Sequence, residues 1–260
     1  MIAFAGSLLA VPATAAASTG GGGAGLTSPP APTHKAPTHK PKASDPTTGS
    51  PLTQPITTEP GNTLVSATGN GITVQAIASA MLRRTLTFTG SAPGDAGKTI
   101  EIERSGHQTD WEWAPTVTAT VQPGGAFTAT WTTDHIGQFS IRAVLDSLEA
   151  QPAAVTQSMI VTVYLPSVAS WYGTKKLYGH GTACGQTLTK QLLGVANKTL
   201  PCGEQVALYY HGRTLTVPVI DRGPYVKGRR YDLTYATAKA LGTVTAGVAT
   251  IGAVSLPTAP

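Results

Sequence analysis

The 260-residue sequence predicts an all-β fold, a sandwich followed by a smaller strand-and-turn module, with an unfolded stretch in front. Three observations carry that prediction. Between residues 63 and 165, apolar and polar residues alternate with period two in short runs. Clusters of Gly, Pro, Asn and Asp separate the runs. Only 12% of residues are charged and 6% aromatic, while Gly (29) and Pro (20) are plentiful, a mix that suits an extracellular β-rich chain.

Residues 1–17 are apolar and end in small residues of the Ala-x-Ala kind, as at the end of a secretory signal. No Lys or Arg precedes Lys35, so the basic start of such a signal is missing. The segment is too short and Ala-rich for a membrane span, so membrane contact is expected only through it, if it is uncleaved. Residues 18–62 read as a disordered Pro/Gly/Thr-rich linker. Gly20 to Gly23 form a glycine run, and Ala31-Pro-Thr-His-Lys35 repeats as Ala36-Pro-Thr-His-Lys40. Such composition buries too little apolar surface to fold. It serves either as a spacer or as an inert tether.

Residues 63–165 read as an immunoglobulin-like β-sandwich. Alternation marks strands at 84–88, 99–103, 116–121, 126–131, 138–142 and 159–163, with a seventh at 72–74. Turn signals fall at Gly69-Asn70-Gly71, Pro93-Gly94-Asp95 and Pro123-Gly124-Gly125. About seven short strands at this spacing fit that sandwich, without its disulfide. Trp111 and Trp113 flank Glu112 in an expected loop. They either stack on sugar rings or pack at a sheet edge.

Residues 166–260 alternate strands with turns. Gln205–Tyr209 and Thr214–Val217 flank His211-Gly212, a hairpin signal. Thr234 is placed to cap a short helix through Lys239 that ends before Gly242. The run from Ala249 to Ser255 completes the module. This segment carries ten basic and three acidic side chains, within a whole-chain net charge of +5. It therefore projects a positive field that attracts polyanions. Anionic cell-wall polymers fit this field. No aromatic-basic interleaving or motif favours nucleic acid, and no nucleic-acid partner is expected. The two cysteines, Cys184 and Cys202, both lie here, and an even pair in a secreted chain suggests a disulfide. A zinc site would need more ligands than His180 and His211 supply. No metal and no cofactor is expected.

Five segments of this module stand in a telling order. They are Ala169-Ser-Trp-Tyr-Gly173, Thr182-Ala-Cys-Gly-Gln186, Ala196-Asn-Lys-Thr-Leu-Pro-Cys-Gly203, Val217-Pro-Val-Ile-Asp-Arg-Gly-Pro-Tyr225 and Tyr231-Asp-Leu-Thr234. In this order they resemble the rare lipoprotein A family, which cleaves or binds bacterial peptidoglycan. The resemblance covers roughly residues 166 to 254. It implies a six-stranded double-psi β-barrel over 166–260 and a secreted, cell-wall-associated protein whose partner is the peptidoglycan glycan strand.

Cleaving a glycosidic bond requires a proton donor for the leaving oxygen, and hydrolysis usually needs a second carboxylate. The module has only three acids: Glu204, Asp221 and Asp232. A lytic transglycosylase needs less, because the substrate's own muramic 6-hydroxyl attacks the anomeric carbon and gives a 1,6-anhydro product. Asp221, after an apolar strand, is the first candidate acid/base, with Asp232 as a second catalytic candidate. In enzymes of the resembled family a Glu stands at the position of Gln186 and a His at that of Asn197, while the Asp of the Asp-Arg-Gly-Pro motif is retained as Asp221. Gln186 and Asn197 can hydrogen-bond a sugar but cannot exchange a proton at neutral pH. Tyr172, Trp171 and Tyr225 are candidate walls of a glycan groove. Lys198, Arg222 and Arg229 are candidate contacts for lactyl or peptide-stem carboxylates. Arg222, Arg229 and Arg230 are expected to lower the Asp221 pKa if they lie close to it.

Each acid also has a purely structural reading. Asp221 would accept backbone N–H groups at its turn, and Asp232 would cap the following helix. The barrel is also similar to expansins, which loosen walls without hydrolysis and carry Asp at both positions. A non-catalytic wall-binding or wall-loosening module is therefore the rival reading. An endoglucanase is a third, resting on the shared barrel alone.

Overall fold

The computed structural model describes residues 63–145 and 154–256. The signal-like segment 1–17 and the linker 18–62 lie outside the described residues. The described residues are all-β apart from one short α-helix and a single 3-10 turn.

The first module pairs two sheets. One holds β1 (Leu64–Gly69), β2 (Ile72–Ile77), β4 (Thr85–Ser91) and β7 (Ala126–Thr132) in the order β1-β2-β4-β7. The facing sheet runs through β10 (Met159–Tyr172), β8 (Gly137–Leu145), β5 (Thr99–Ser105) and β6 (Ala114–Thr120). Two short strands extend it: β3 (Ser79–Met81) along β10 and β9 (Ala154–Val155) along β8. Alternation decides what is buried. In β2 and β7 every second residue points inward, and Ile72, Val74, Phe127 and Trp131 join Phe88, Ile100, Ile102, Phe139 and Ile141 in one core. Trp131 meets Phe139 edge-on, with ring centroids 5.8 Å apart. The β1–β2 turn is Asn70-Gly71. Both residues are left-handed (φ 49° and 79°), as a two-residue hairpin with the sheet's twist requires.

The second module is a closed six-stranded barrel. Its strands are β10, β11 (Val195–Ala196), β12 (Gln205–Tyr210), β13 (Arg213–Asp221), β14 (Tyr231–Thr234) and β15 (Ala249–Leu256). They pair in the cycle β14-β11-β13-β12-β15-β10, and β10 closes back on β14. Two pairings, β10 with β14 and β11 with β13, are parallel. The interior holds Val195, Val206, Leu208, Val217, Val219, Leu233 and Ile251.

β10 belongs to both modules. Its first half pairs β8 and its second half pairs β15, without a break. The expected boundary between residues 165 and 166 falls inside this strand. A small third cluster centred on Tyr164, Ala207 and Val254 fills the junction, with the Tyr164 and Tyr209 rings 5.5 Å apart.

The helix α1 (Tyr235–Leu241) follows β14 directly. Its N-cap is Thr234, whose hydroxyl accepts the Thr237 N–H at 3.2 Å, and Gly242 ends it in the left-handed conformation. Asp232 is not the cap, so the structural reading of that residue is corrected. Thr234→Ala removes a buried cap and is expected to cost about 1 kcal/mol. Thermal melting should fall by about 2–4 °C.

Candidate functional site

Strand register brings the two candidate acids together. Ala196 in β11 is the partner of Asp221 on one side and of Asp232 on the other. Ser170 lies opposite Asp232 across the β10–β14 pair, and Tyr172 lies opposite Thr234. β10, β14 and, across β11, β13 thus deliver two carboxylates, a hydroxyl and a phenol to one end of the barrel.

The two acids sit in different environments. Asp221 ends β13, and its Oδ1 accepts the N–H of Ala183 at 2.9 Å and of Arg222 at 2.8 Å. That oxygen is a fixed acceptor, as the turn-based reading of Asp221 expected. Asp232 is half-buried, and its Oδ1 accepts the Ser170 hydroxyl at 2.8 Å. Burial raises its pKa above the ordinary aspartate value. The Ser170 bond and the Arg229 charge oppose the rise, and the negative Asp221 nearby adds to it. Arg229 reaches the same centre by donating from Nη1 to the Ser170 hydroxyl at 3.1 Å.

Tyr172 faces both acids. Its buried hydroxyl makes no hydrogen bond of good geometry, although it lies near enough to Asp221 for the carboxylate to oppose its ionisation. Burial first, then the Asp221 and Asp232 charges, push its pKa well above that of an ordinary phenol. The hydroxyl therefore stays neutral, enclosed beside the two acids.

The other expected site residues divide sharply. Asn197 is 4% exposed, and its amide is committed. Oδ1 accepts the N–H groups of Thr199 (3.0 Å) and Leu200 (2.9 Å), while Nδ2 donates to the Arg230 carbonyl at 3.2 Å. The Arg222 guanidinium turns to the same loop, donating to the carbonyls of Asn197 (3.2 Å) and Leu200 (2.9 Å) and to Cys202 Sγ (3.1 Å). Among the described residues, none of the three arginines forms an ion pair with Asp221. Arg229 acts instead near Asp232, whose pKa its charge lowers. Gln186 is exposed, and only its backbone is tied down, to Thr182. Tyr225 is 82% exposed, just beyond the cis Gly223–Pro224 bond. Cys184 and Cys202 form the expected disulfide, with Cα atoms 5.6 Å apart.

A groove of about 420 Å³ adjoins this end, lined by Asn197, Lys198, Thr199, Leu200, Gly228, Arg229 and Arg230. Its three cations, Lys198, Arg229 and Arg230, share the lining with no carboxylate, so the groove is positively charged. Sequence reasoning missed Ser170 and the Ala183 N–H. Nothing local marks Ser170, because its partner Asp232 lies 62 residues away.

The Asp232 environment predicts a stability signature. A carboxyl whose folded pKa exceeds its unfolded value holds its proton more tightly when folded, so the fold loses stability as pH rises through the raised pKa. Asp232→Asn is expected to melt higher than the wild type at pH 7. The gain should disappear below the ordinary value of 3.8, which melts recorded across that range will test.

Residues 168–253 match the family described as "Lytic transglycolase". Over 87 residues the chain is 44% identical to "Probable endolytic peptidoglycan transglycosylase RlpA" of Aquifex aeolicus, which covers 33% of this chain and 38% of that relative. Over 85 residues it is 42% identical to "Endolytic peptidoglycan transglycosylase RlpA" of Vibrio cholerae, covering 32% of each. Among solved structures it is similar to "Streptomyces papain inhibitor (SPI)", with a TM-score of 0.30 and 27% identity over 35% of this chain and 93% of that one. The chain spans about a third of the length of the curated relatives it matches. The barrel segment resembles the rare lipoprotein A-like double-psi β-barrel family, as its motifs implied.

Proposed function

We propose that this chain cleaves peptidoglycan glycan strands as a lytic transglycosylase, with Asp232 moving the protons. The observation that carries this reading is the pairing of a half-buried Asp232, its pKa raised, with Asp221 held as a fixed acceptor across Ala196. Protonated Asp232 gives its proton to the glycosidic oxygen as the bond to the anomeric carbon breaks. The muramic 6-hydroxyl then bonds to that carbon, and its proton passes to the Asp232 carboxylate. No water is consumed, and the acid is regenerated. The Asp221 charge favours the positive, oxocarbenium-like centre between these steps. Tyr172, its hydroxyl enclosed, stands as a neutral neighbour of the two acids rather than as a sugar contact.

This assignment moves the acid role from Asp221 to Asp232, because an oxygen filled by two backbone donors is a poor place from which to deliver a proton. Gln186 and Tyr225, both exposed, remain candidate sugar contacts. Arg222 and Asn197 shape the loop from within. Lys198, Arg229 and Arg230 offer their groove to lactyl or peptide-stem carboxylates or to anionic wall polymers. We read the protein as secreted and cell-wall associated, on the strength of the disulfide and the signal-like composition of residues 1–17. We read the first module as an immunoglobulin-like sandwich.

Digestion of purified peptidoglycan in heavy-oxygen water tests the reaction class. The proposal expects fragments with anhydro ends and no solvent oxygen at the new terminus. Incorporated heavy oxygen would mean hydrolysis instead.

One observation favours the rival, non-catalytic reading. The Asn197 amide is buried, its oxygen held by two backbone N–H groups and its nitrogen bonded to the Arg230 carbonyl, and an amide at that position cannot replace a titrating group. A protein that sediments with peptidoglycan and releases nothing would establish that reading.

A further inference from the structure

We infer that the cleft between sandwich and barrel is a second saccharide site, which takes an uncharged pyranose segment of a glycan with Trp111 as its platform. The cleft is about 270 Å³. The sandwich contributes His107, Gln108, Trp111, Gln138, Ser140 and Ile160, and the end of β15 contributes Ser255 and Leu256. It stands apart from the carboxylate end of the barrel. Ile160 and Tyr172 are twelve residues apart on β10, about 40 Å of extended strand.

The lining selects the ligand's chemistry. It contains no Lys, Arg, Asp or Glu. An anionic or cationic partner therefore finds no charged side chain in the lining itself; the Glu204 carboxylate behind it is taken up by the Ser255 hydroxyl. What the cleft offers is an aromatic face, apolar side chains and the polar groups of Gln138 and Ser140, since the Gln108 amide nitrogen donates to the Ile136 carbonyl and the Ser255 hydroxyl to Glu204. That combination suits a ligand with an apolar face and a polar rim, which a pyranose ring has.

The display of Trp111 is built rather than incidental. Asp110 and Trp111 are consecutive non-glycine residues in the left-handed region, at φ 50° and 64°. For a bulky side chain that conformation is costly and persists only when its surroundings enforce it. The enforcement is visible. The Ser105 hydroxyl donates to the Trp111 carbonyl at 2.8 Å, and the Trp111 N–H donates to the Gly106 carbonyl at 3.0 Å. On the far side, the Thr109 hydroxyl donates to the Glu112 carbonyl at 2.6 Å. The result leaves Trp111 38% exposed in the cleft lining.

Trp113 supplies the contrast. Arg142 stacks over its ring at 4.1 Å while bonding Glu103 at 2.6 Å, so Trp113 is packed on the sheet. The two tryptophans that the sequence offered as a pair have separate roles.

The site does not depend on the barrel's chemistry, and its test reads Trp111 directly. The indole N–H resonance that disappears in Trp111→Gly identifies Trp111 in the wild-type spectrum. Titration with the β-1,4 pentamer of N-acetylglucosamine is expected to shift that resonance to saturation. Trp111→Gly should bind the pentamer about tenfold more weakly and melt no lower than the wild type, since glycine relieves the left-handed strain. Asp232→Asn should leave the Trp111 shift intact, which separates this site from the proposed reaction. A resonance that does not move overturns the inference, as does unchanged affinity in Trp111→Gly. A clear drop in melting temperature for Trp111→Gly would also overturn it, by making the ring a packing element or the cover for another part of the chain.

Discussion

Asp232→Asn is expected to lower the rate of glycan-strand cleavage by about 10²–10⁴-fold while leaving binding to the wall intact. An amide of nearly the same size keeps an acceptor for the Ser170 hydroxyl but has no proton to deliver. The pH profile should agree. The first step needs the protonated acid, so the wild-type rate should fall as pH rises through the raised Asp232 pKa. Two neighbours oppose that rise, the Ser170 hydroxyl by its bond and Arg229 by its charge, so Ser170→Ala should move the falling limb to higher pH. An effect on the limb distinguishes an acid tuned by its neighbours from a residue needed only for folding. If Asp221→Asn abolished cleavage and Asp232→Asn retained it, the roles given to the two acids would be reversed.

Replacing both cysteines, Cys184→Ser with Cys202→Ser, is expected to cost about 3 kcal/mol, as the chain-entropy account gives for a loop of this size. The melting temperature should fall by about 6–12 °C. Activity should suffer beyond the loss of folded protein. The bridged loop holds the Ala183 N–H on Asp221 and carries the carbonyls and Sγ that Arg222 ties together. Loosening it frees the Asp221 carboxylate from one of its two backbone donors. A variant that melts like the wild type, or that cleaves normally at a temperature where it is fully folded, would contradict this account of the loop.

Much of the fold was legible because period two survives wherever one face of a strand is buried. The expected runs at 99–103, 126–131 and 138–142 all lie within observed strands. The Thr234 cap and the His211-Gly212 hairpin were legible because their chemistry is local. The rest was hidden for two reasons. β11 has only two residues and shows no period at all. The parallel pairing of β10 with β14 joins residues about sixty positions apart, and it decides that Ser170 and Arg229 serve Asp232. Arg222 shows the same limit. It was a candidate contact for lactyl or peptide-stem carboxylates, whereas its side chain is spent on the Asn197 and Leu200 carbonyls. Sequence adjacency gave Trp111 and Trp113 one expected role, and a left-handed backbone gave them two.

The central claim is that Asp232 moves the protons in a water-free cleavage. It is tested most directly by mass spectrometry of fragments released from purified peptidoglycan by the wild type and by Asp232→Asn, with wall binding measured in parallel. The account predicts anhydro-ended fragments from the wild type and almost none from a variant that sediments with the wall equally well. Anhydro-ended fragments at equal rates from both proteins would contradict it, and so would a wild type that binds the wall and releases nothing.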